Sequence, residues 1–426
     1  MALTVALLIL LGLFLLNVPI AFALIISSII YIFFNDSYSS EILIQRMIGG
    51  IESVPLLAII FFITAGILMN YTGITSRMLR FAQMITNRLP GSLAQVNVVL
   101  STLMGGLSGS NIADAAMQSK ILVPEMEKKG YSRAFSTALT AGTSLITPII
   151  PPGIALILYG FIGNVSIGSM FLAGIIPGVI LCISFMVYVH FYAKKHKIET
   201  EKTEKITLKY FLLTSKDAFL ALLLPIIIIG GIRFGVFSAT EAGAVAVFYA
   251  LFLGLIVYRE MKLSQLFSAL VETAHTAASI LIIIAAGSAF AWVLTLEQVP
   301  QRMTMFMVEY ISSPIMFFFV VLVFLVIIGM FIEGNVSIIV LTPLFMPMLL
   351  EYGIEPVHFG IFFIVSISIG TLTPPLGTVM YTTCSITKTK VEEFVVASLP
   401  FLILLVVVAL LIAFMPSLSM WVPNTF

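Results

Sequence analysis

Charge is what this chain has least of: of its 426 residues only 10% are Asp, Glu, Lys or Arg, while 60% are apolar. At a mean hydropathy of +1.15, a soluble domain has no way to hide its apolar surface, so the bilayer must serve as solvent. Cysteine is nearly absent. Cys182 and Cys384 lie inside apolar stretches without metal-ligand spacing, which excludes a disulfide framework and leaves two packed thiols. A basic field is missing as well. The net charge is +1 and Lys and Arg gather in short loops, so nucleic acid is excluded as a partner. Residues 1–34 carry no charge at all; they lack the basic start of a signal peptide and exceed its length, and they predict a retained first span.

What is present is a series of long apolar runs. A helix needs about 20 such residues to cross the hydrocarbon, where backbone polar groups must be satisfied internally. Spans are predicted near residues 4–34, 51–71, 168–192, 213–232, 240–258, 274–296 and 393–415. Two more, 133–163 and 357–386, are interrupted by proline clusters. Segments 91–127 and 314–350 hold two helices each with a break of Gly, Ser and Asn at mid-length, and they read as re-entrant hairpins. This leaves nine crossings, with the N-terminus cytoplasmic and the C-terminus periplasmic. On that count 17 of the 21 basic residues face inward, Arg46, Arg233 and Arg302 face outward, and Lys120 lies in the first hairpin. The positive-inside rule demands such a split. The charged run 194–209 reads as a solvated cytoplasmic linker.

Sliding the sequence over itself by 223 residues places Gly106 on Gly329, Pro124 on Pro347, Gly130 on Gly353, and Pro151 and Pro152 on Pro374 and Pro375. A small gap extends the match to Arg77-Met78 and Arg302-Met303, so one unit is used twice. The predicted organisation is a first half (1–192), a linker with a connecting span (193–239) and a second half (240–426). An odd number of crossings separates equivalent positions, which makes the repeat inverted. Inverted repeats with interrupted segments in register are the mark of a secondary transporter, and the interruptions point to the binding site.

The chemistry concentrates at those interruptions. The first hairpin turns at GGLSGSN (105–111) and its second arm opens with Ile112, Ala113 and Asp114. Small residues let backbone approach an ion, Ser and Asn oxygens are hard neutral ligands suited to Na⁺, and the amides opening the next half-helix attract an anion. The partner break TSLITPIIPPG (143–153) frees carbonyls because proline lacks an N–H. The second half supplies EGNVS (333–337) and GTLTPPLG (370–377). Two similar ion sites are implied. Asp114 either caps its half-helix or supports the ion site. Glu333 reads as structural or gating, Glu241 as a capping box with Ser238, His275 as interfacial, Lys120 as snorkelling, and Trp292 and Trp421 as interface anchors. No HExxH, paired intramembrane aspartates or Ser/His pair supports an enzyme.

Together, the tip GGLSGSNIADAA with VPEMEKKGY downstream, the TPIIPPG break, the EGN…TPLFMP hairpin and the GTLTPPLG break resemble the large membrane subunit of tripartite ATP-independent periplasmic (TRAP) transporters. The resemblance runs over essentially the whole chain. It implies an all-α polytopic fold with an inverted repeat, two re-entrant hairpins and two broken helices, working as an elevator driven by Na⁺, with no other cofactor. It implies a small four-helix membrane subunit as a separate chain, a periplasmic substrate-binding protein, a bacterial inner-membrane location, and organic acids such as sialic acid or C4-dicarboxylates as cargo. Carried over by motif, Na⁺ would be held by Ser108, Ser110, Asn111, Asp114 and Thr147, and by Gly334, Asn335, Thr371 and Thr373. The substrate would be lined by Ser108, Gly109, Pro151, Pro152, Gly153, Asn335, Pro374, Pro375 and Gly377. The rival expectation is a stand-alone Na⁺/dicarboxylate or anion carrier of the same plan without a binding protein.

Overall fold

The computed structural model describes residues 2–16, 18–35, 38–198 and 207–425, and among the described residues every regular element is helical. Lys202 and Lys205 of the predicted linker lie outside them. The apolar opening is not one span. Helices α1 (Ala2–Leu15) and α2 (Ile20–Phe33) pack side by side, with Ala2, Leu3 and Ala6 clustered with Tyr31 and Ile32. The start of one lies level with the end of the other, so 4–34 is a helical hairpin and the predicted single crossing is corrected. Each arm of 14 residues is about 21 Å long, short of the ~30 Å hydrocarbon core. Unbroken hydropathy conceals the turn. Pro19 stands at the N-cap of α2, where its missing N–H costs nothing.

Helix α3 (Ser40–Ile51) leads into α4 (Val54–Tyr71) and the amphipathic α5 (Ile74–Thr86). The first deep hairpin is α6 (Ser92–Gly105) with α7 (Asn111–Lys128); the broken span is α8 (Arg133–Thr143), a 3₁₀ turn at Ser144–Ile146, and α9 (Ile154–Ile162). Helix α10 (Ile167–Lys195) closes the half, and α11 (Leu208–Arg233) and α12 (Ala239–Phe252), prolonged by a π turn at Leu253–Val257, connect it to the next. The series then recurs as α13 (Leu263–Leu296), α14 (Val299–Tyr310), the hairpin α15 (Pro314–Phe331) and α16 (Gly334–Glu351), the broken pair α17 (Pro356–Gly370) and α18 (Thr378–Thr387), and α19 (Val391–Phe414). A short α20 (Ser417–Thr425) follows. Glu241 and Ser238 form the expected capping box at the start of α12.

The two series run in opposite directions. Tyr71, ending α4, donates to Glu272 Oε2 at 3.3 Å early in α13, whereas Gly50, just ahead of α4, abuts Ser288 and Ile284 late in α13. These helices head the two copies and are antiparallel. Packing is reciprocal: α7 lies on α18 and α16 on α9, while α8 lies on α19 and α17 on α10.

Each deep hairpin returns to where it began. Gly91, ahead of α6, lies against the Tyr131 hydroxyl beyond α7. Tyr352, beyond α16, donates to the Ile311 carbonyl ahead of α15 at 2.8 Å and packs on Phe317. Among the described residues eight helices are long and apolar enough to cross a membrane, but two of them, α15 and α16, are arms of such a hairpin. Conversely, each broken pair crosses in two short pieces. The crossings are α4, α8 with α9, α10, α11, α12, α13, α17 with α18, and α19, one fewer than expected. Both chain ends therefore share a face. Tyr31, level with Ala2, donates to Glu297 just beyond α13 at 2.9 Å, and Ser419 meets His358 near the start of α17 at 2.7 Å. The expectation of termini on opposite sides is corrected for this reason.

Candidate functional site

The first hairpin is tied to the first break by side chains. Asp114, one turn into α7, is 1% exposed. Its Oδ2 accepts from Ser101 Oγ at 2.8 Å and from Thr147 Oγ1 at 3.1 Å, and its Oδ1 accepts from Gln118 Nε2 at 2.8 Å. Gln118 also donates to Ser101 Oγ at 2.7 Å. The chain of bonds continues from Thr143 Oγ1 to Asn97 Oδ1 at 2.7 Å and from Asn97 Nδ2 to Thr140 Oγ1 at 2.6 Å. Three elements, α6, α7 and α8 with its break, thus share one buried polar network. An ionised carboxylate at this depth is costly unless its oxygens are occupied, and here three donors occupy them. Asp114 is not a helix cap. Ser110 takes that role, accepting from the Ala113 amide at 3.4 Å, and Asn111 Oδ1 accepts from the Ile112 amide at 2.9 Å.

The tip itself meets the break through backbone. Gly109, at φ +60°, has no room for a side chain: a Cβ there would come within 3.0 Å of the Ile154 amide nitrogen and the Pro152 carbonyl. A Cβ on Gly105 would lie 2.6 Å from Ile150. On the other flank α4 closes over the tip, with Gly66 against the Leu107 carbonyl and Ser108. A pocket of about 260 Å³ remains there, lined by Ser108 and Asp114 together with Asn70, Thr75 and Met117. Thr75 Oγ1 has no partner.

The second site is built from different material. Gly329 and Gly370 allow α15 and α17 to touch backbone to backbone; a Cβ on Gly370 would lie 2.4 Å from the Val326 carbonyl. The Leu376 amide donates to the Met330 carbonyl at 3.1 Å, and the Thr371 carbonyl accepts from the amides of Val379 and Met380 at 3.1 and 3.2 Å. Thr371 and Thr373 hydroxyls donate to the Ser368 and Ile369 carbonyls, which leaves their lone pairs free to accept. Asn335 Nδ2 donates to Glu333 Oε1 at 2.8 Å. No side-chain bond joins Asn335 to Thr371 or Thr373 among the described residues. In both breaks the Pro-Pro bonds, 151–152 and 374–375, are cis.

Against known families, residues 7–418 match the model described as "Tripartite ATP-independent periplasmic transporter, DctM component". The chain belongs to this family. It is 36% identical to the sialic acid TRAP transporter large permease protein SiaM of Vibrio cholerae over 98% of this chain and 97% of that one. It is 35% identical to the C4-dicarboxylate TRAP transporter large permease protein DctM of Pseudomonas aeruginosa, over 93% and 92%. Among solved structures, the Alcanivorax borkumensis YdaH transporter superposes with a TM-score of 0.64 at 12% identity, covering 88% of this chain and 87% of that one, which is a likeness of fold. This TRAP large permease is a multi-pass transporter subunit and not an enzyme.

Several partners of the Asp114 network escape motif reading. Asn97, Ser101, Gln118 and Thr140 belong to no interruption. Their signal is spacing: Asn97 and Ser101, and Asp114 and Gln118, stand four residues apart, so each pair shares a helix face in surroundings where polar side chains are costly. Of the residues singled out singly, His275 and Trp421 are exposed and Trp292 sits under the Arg46 guanidinium at 5.7 Å with Tyr38 edge-on. Cys182 and Cys384 are both free thiols.

Proposed function

We propose that this TRAP large permease imports a small organic acid, of the sialic acid or C4-dicarboxylate class, by Na⁺ symport across a bacterial inner membrane. A small four-helix membrane subunit and a periplasmic substrate-binding protein complete the system. The face that gathers Arg133, Lys194, Lys195 and Lys388 is cytoplasmic, by the excess of positive charge. Na⁺ is held by Ser108, Ser110, Asn111, Asp114 and Thr147 in the first half, and by Gly334, Asn335, Thr371 and Thr373 in the second. The cargo lies against Ser108, Gly109, Pro151, Pro152 and Gly153 and against Asn335, Pro374, Pro375 and Gly377. The hairpins and broken helices move as one body past α4, α11, α12 and α13.

The observation that carries this reading is the joint between hairpin tip and broken helix, made of neutral oxygens around one buried carboxylate in one half and of backbone bonds beside the Thr371 and Thr373 hydroxyls in the other. Such oxygens suit a small, hard monovalent cation, and the cation offsets the cost of the carboxylate. The names of relatives at 35% and 36% identity support the cargo class. The test is uptake of radiolabelled succinate and N-acetylneuraminate into vesicles holding both membrane subunits, with the cognate binding protein outside. Uptake should require an inward Na⁺ gradient and the binding protein. Uptake that persists after the gradient is collapsed removes the symport; uptake without the binding protein points to a stand-alone carrier.

A further inference from the structure

At the base of the first deep hairpin, far from its tip, α7 and α18 part and leave a pocket of about 390 Å³. Its wall includes Ser119, Lys120, Glu127, Arg133, Thr387 and Lys388. Arg133 is committed to Glu127, its Nη2 lying 3.3 Å from Oε2, so that pair adds little net charge. Lys120 and Lys388 take part in none of the ion pairs of the described residues. Two ammonium groups thus line a cavity whose one lining carboxylate among the described residues, Glu127, is already paired with Arg133. Beneath them Ser119 is 1% exposed, and its hydroxyl has no partner. A buried hydroxyl is normally bonded, and one that is not signals an absent acceptor or donor. Thr387 by contrast is satisfied, bonded to the Thr383 carbonyl and the Thr389 hydroxyl.

Position gives the pocket a use. Lys120 follows Asn111 by nine residues along α7, which is about 14 Å of helix rise, and the pocket opens at the face that gathers the basic residues, Arg133 and Lys388 being part of its wall. An anion leaving the cradle along the seam of α7 and α18 meets Lys120 first and Lys388 at the rim. We propose that this pocket is an inner station for carboxylates, where Lys120, Lys388 and the Ser119 hydroxyl receive the cargo's acidic group before it enters the cytoplasm. The cations shorten the residence of the anion in the cradle by offering it a second site within one helix length, and they lower the barrier to its exit through attraction at the mouth. This inference rests on the transport of an organic acid proposed above.

Protection from acylation tests it. The purified full chain is treated with an amine-reactive acetylating reagent in the presence of succinate, N-acetylneuraminate, inorganic phosphate or chloride, and modification is read by mass spectrometry. Lys209, exposed at the start of α11, serves as the internal reference. At about four times its dissociation constant, succinate or N-acetylneuraminate should slow acetylation of Lys120 and Lys388 roughly fivefold against that reference. Lys120→Gln should abolish protection of Lys388, which shows that one ligand touches both. Unchanged rates with both acids overturn the proposal, and so does equal protection by phosphate, which makes the pocket a general anion trap. Vesicle uptake that proceeds while protection is absent sinks the pocket alone. Protection that persists where neither acid is taken up sinks the transport reading instead.

Discussion

Asp114 shows how one side chain can tie a hairpin to a broken helix, and the proposed reading gives it an ion as well. Three donors from α6, α7 and the first break converge on it, so its removal takes an acceptor from each of Ser101, Gln118 and Thr147 and leaves them the weaker alternatives at Thr143 and Ser101. Each buried group left unpaired costs about 1–3 kcal/mol. Asp114→Asn keeps the shape and one acceptor oxygen while removing the charge. We expect the Asn variant to fold and to need at least about tenfold more Na⁺ for half-maximal uptake, corresponding to about 1.4 kcal/mol of lost cation binding. A Na⁺ titration of vesicle uptake decides the point, and an unaltered half-saturation removes Asp114 from the ion site. Position 337, its equivalent 223 residues on, is a serine, and Ser101 and Gln118 correspond to Phe324 and Leu341. The second half therefore has no acid at the position equivalent to Asp114; its acidic group is Glu333 at the tip, bonded to Asn335.

At the scale of helices, the sequence showed its interruptions more clearly than its turns. Both deep hairpins and both broken spans were legible, because clusters of Gly, Ser, Asn and Pro recur in register between the two halves in otherwise apolar surroundings. The α1 and α2 hairpin was not. Asn17 and Pro19 are weak punctuation in 34 uncharged residues, and a hydropathy window joins two short helices as readily as it finds one long one. The short amphipathic helices α3, α5 and α14 were read as loops, because 12 or 13 residues are too few to span and such helices declare themselves only by lying flat. The hairpin yields a firm expectation. With Cys182 and Cys384 replaced, Ala2→Cys and Glu297→Cys should be labelled by an impermeant maleimide from the same side of sealed vesicles. Labelling from opposite sides restores the single first crossing.

At the scale of the molecule, Gly106 of the first hairpin faces Pro225 of α11, across the seam along which the proposed movement would run. A Cβ at Gly106 would lie 3.4 Å from that of Pro225, near the spacing a disulfide requires. The double variant Gly106→Cys and Pro225→Cys should lose uptake on oxidation and regain it on reduction. Full uptake by the cross-linked form, verified on a non-reducing gel, rules out sliding at this seam. The inverted arrangement was legible in the register of prolines and glycines. The reciprocal swap of partners, α7 on α18 and α16 on α9, was not, since spacing along the chain carries no record of which distant helix comes to rest beside it.

One dimension of α13 bears on how the proposed sliding would be guided. Its 34 residues amount to about 51 Å of rise, and even a 40° tilt leaves about 39 Å along the bilayer normal, well over the ~30 Å of hydrocarbon. Some of this rod must stand clear of the lipid tails. Tyr71 meets it at Glu272, and the turns before that point, with Leu263 and Phe267 exposed, overhang the basic face. If the hairpins and broken helices move as proposed, a post that reaches past the lipid gives them a rail longer than the membrane is thick.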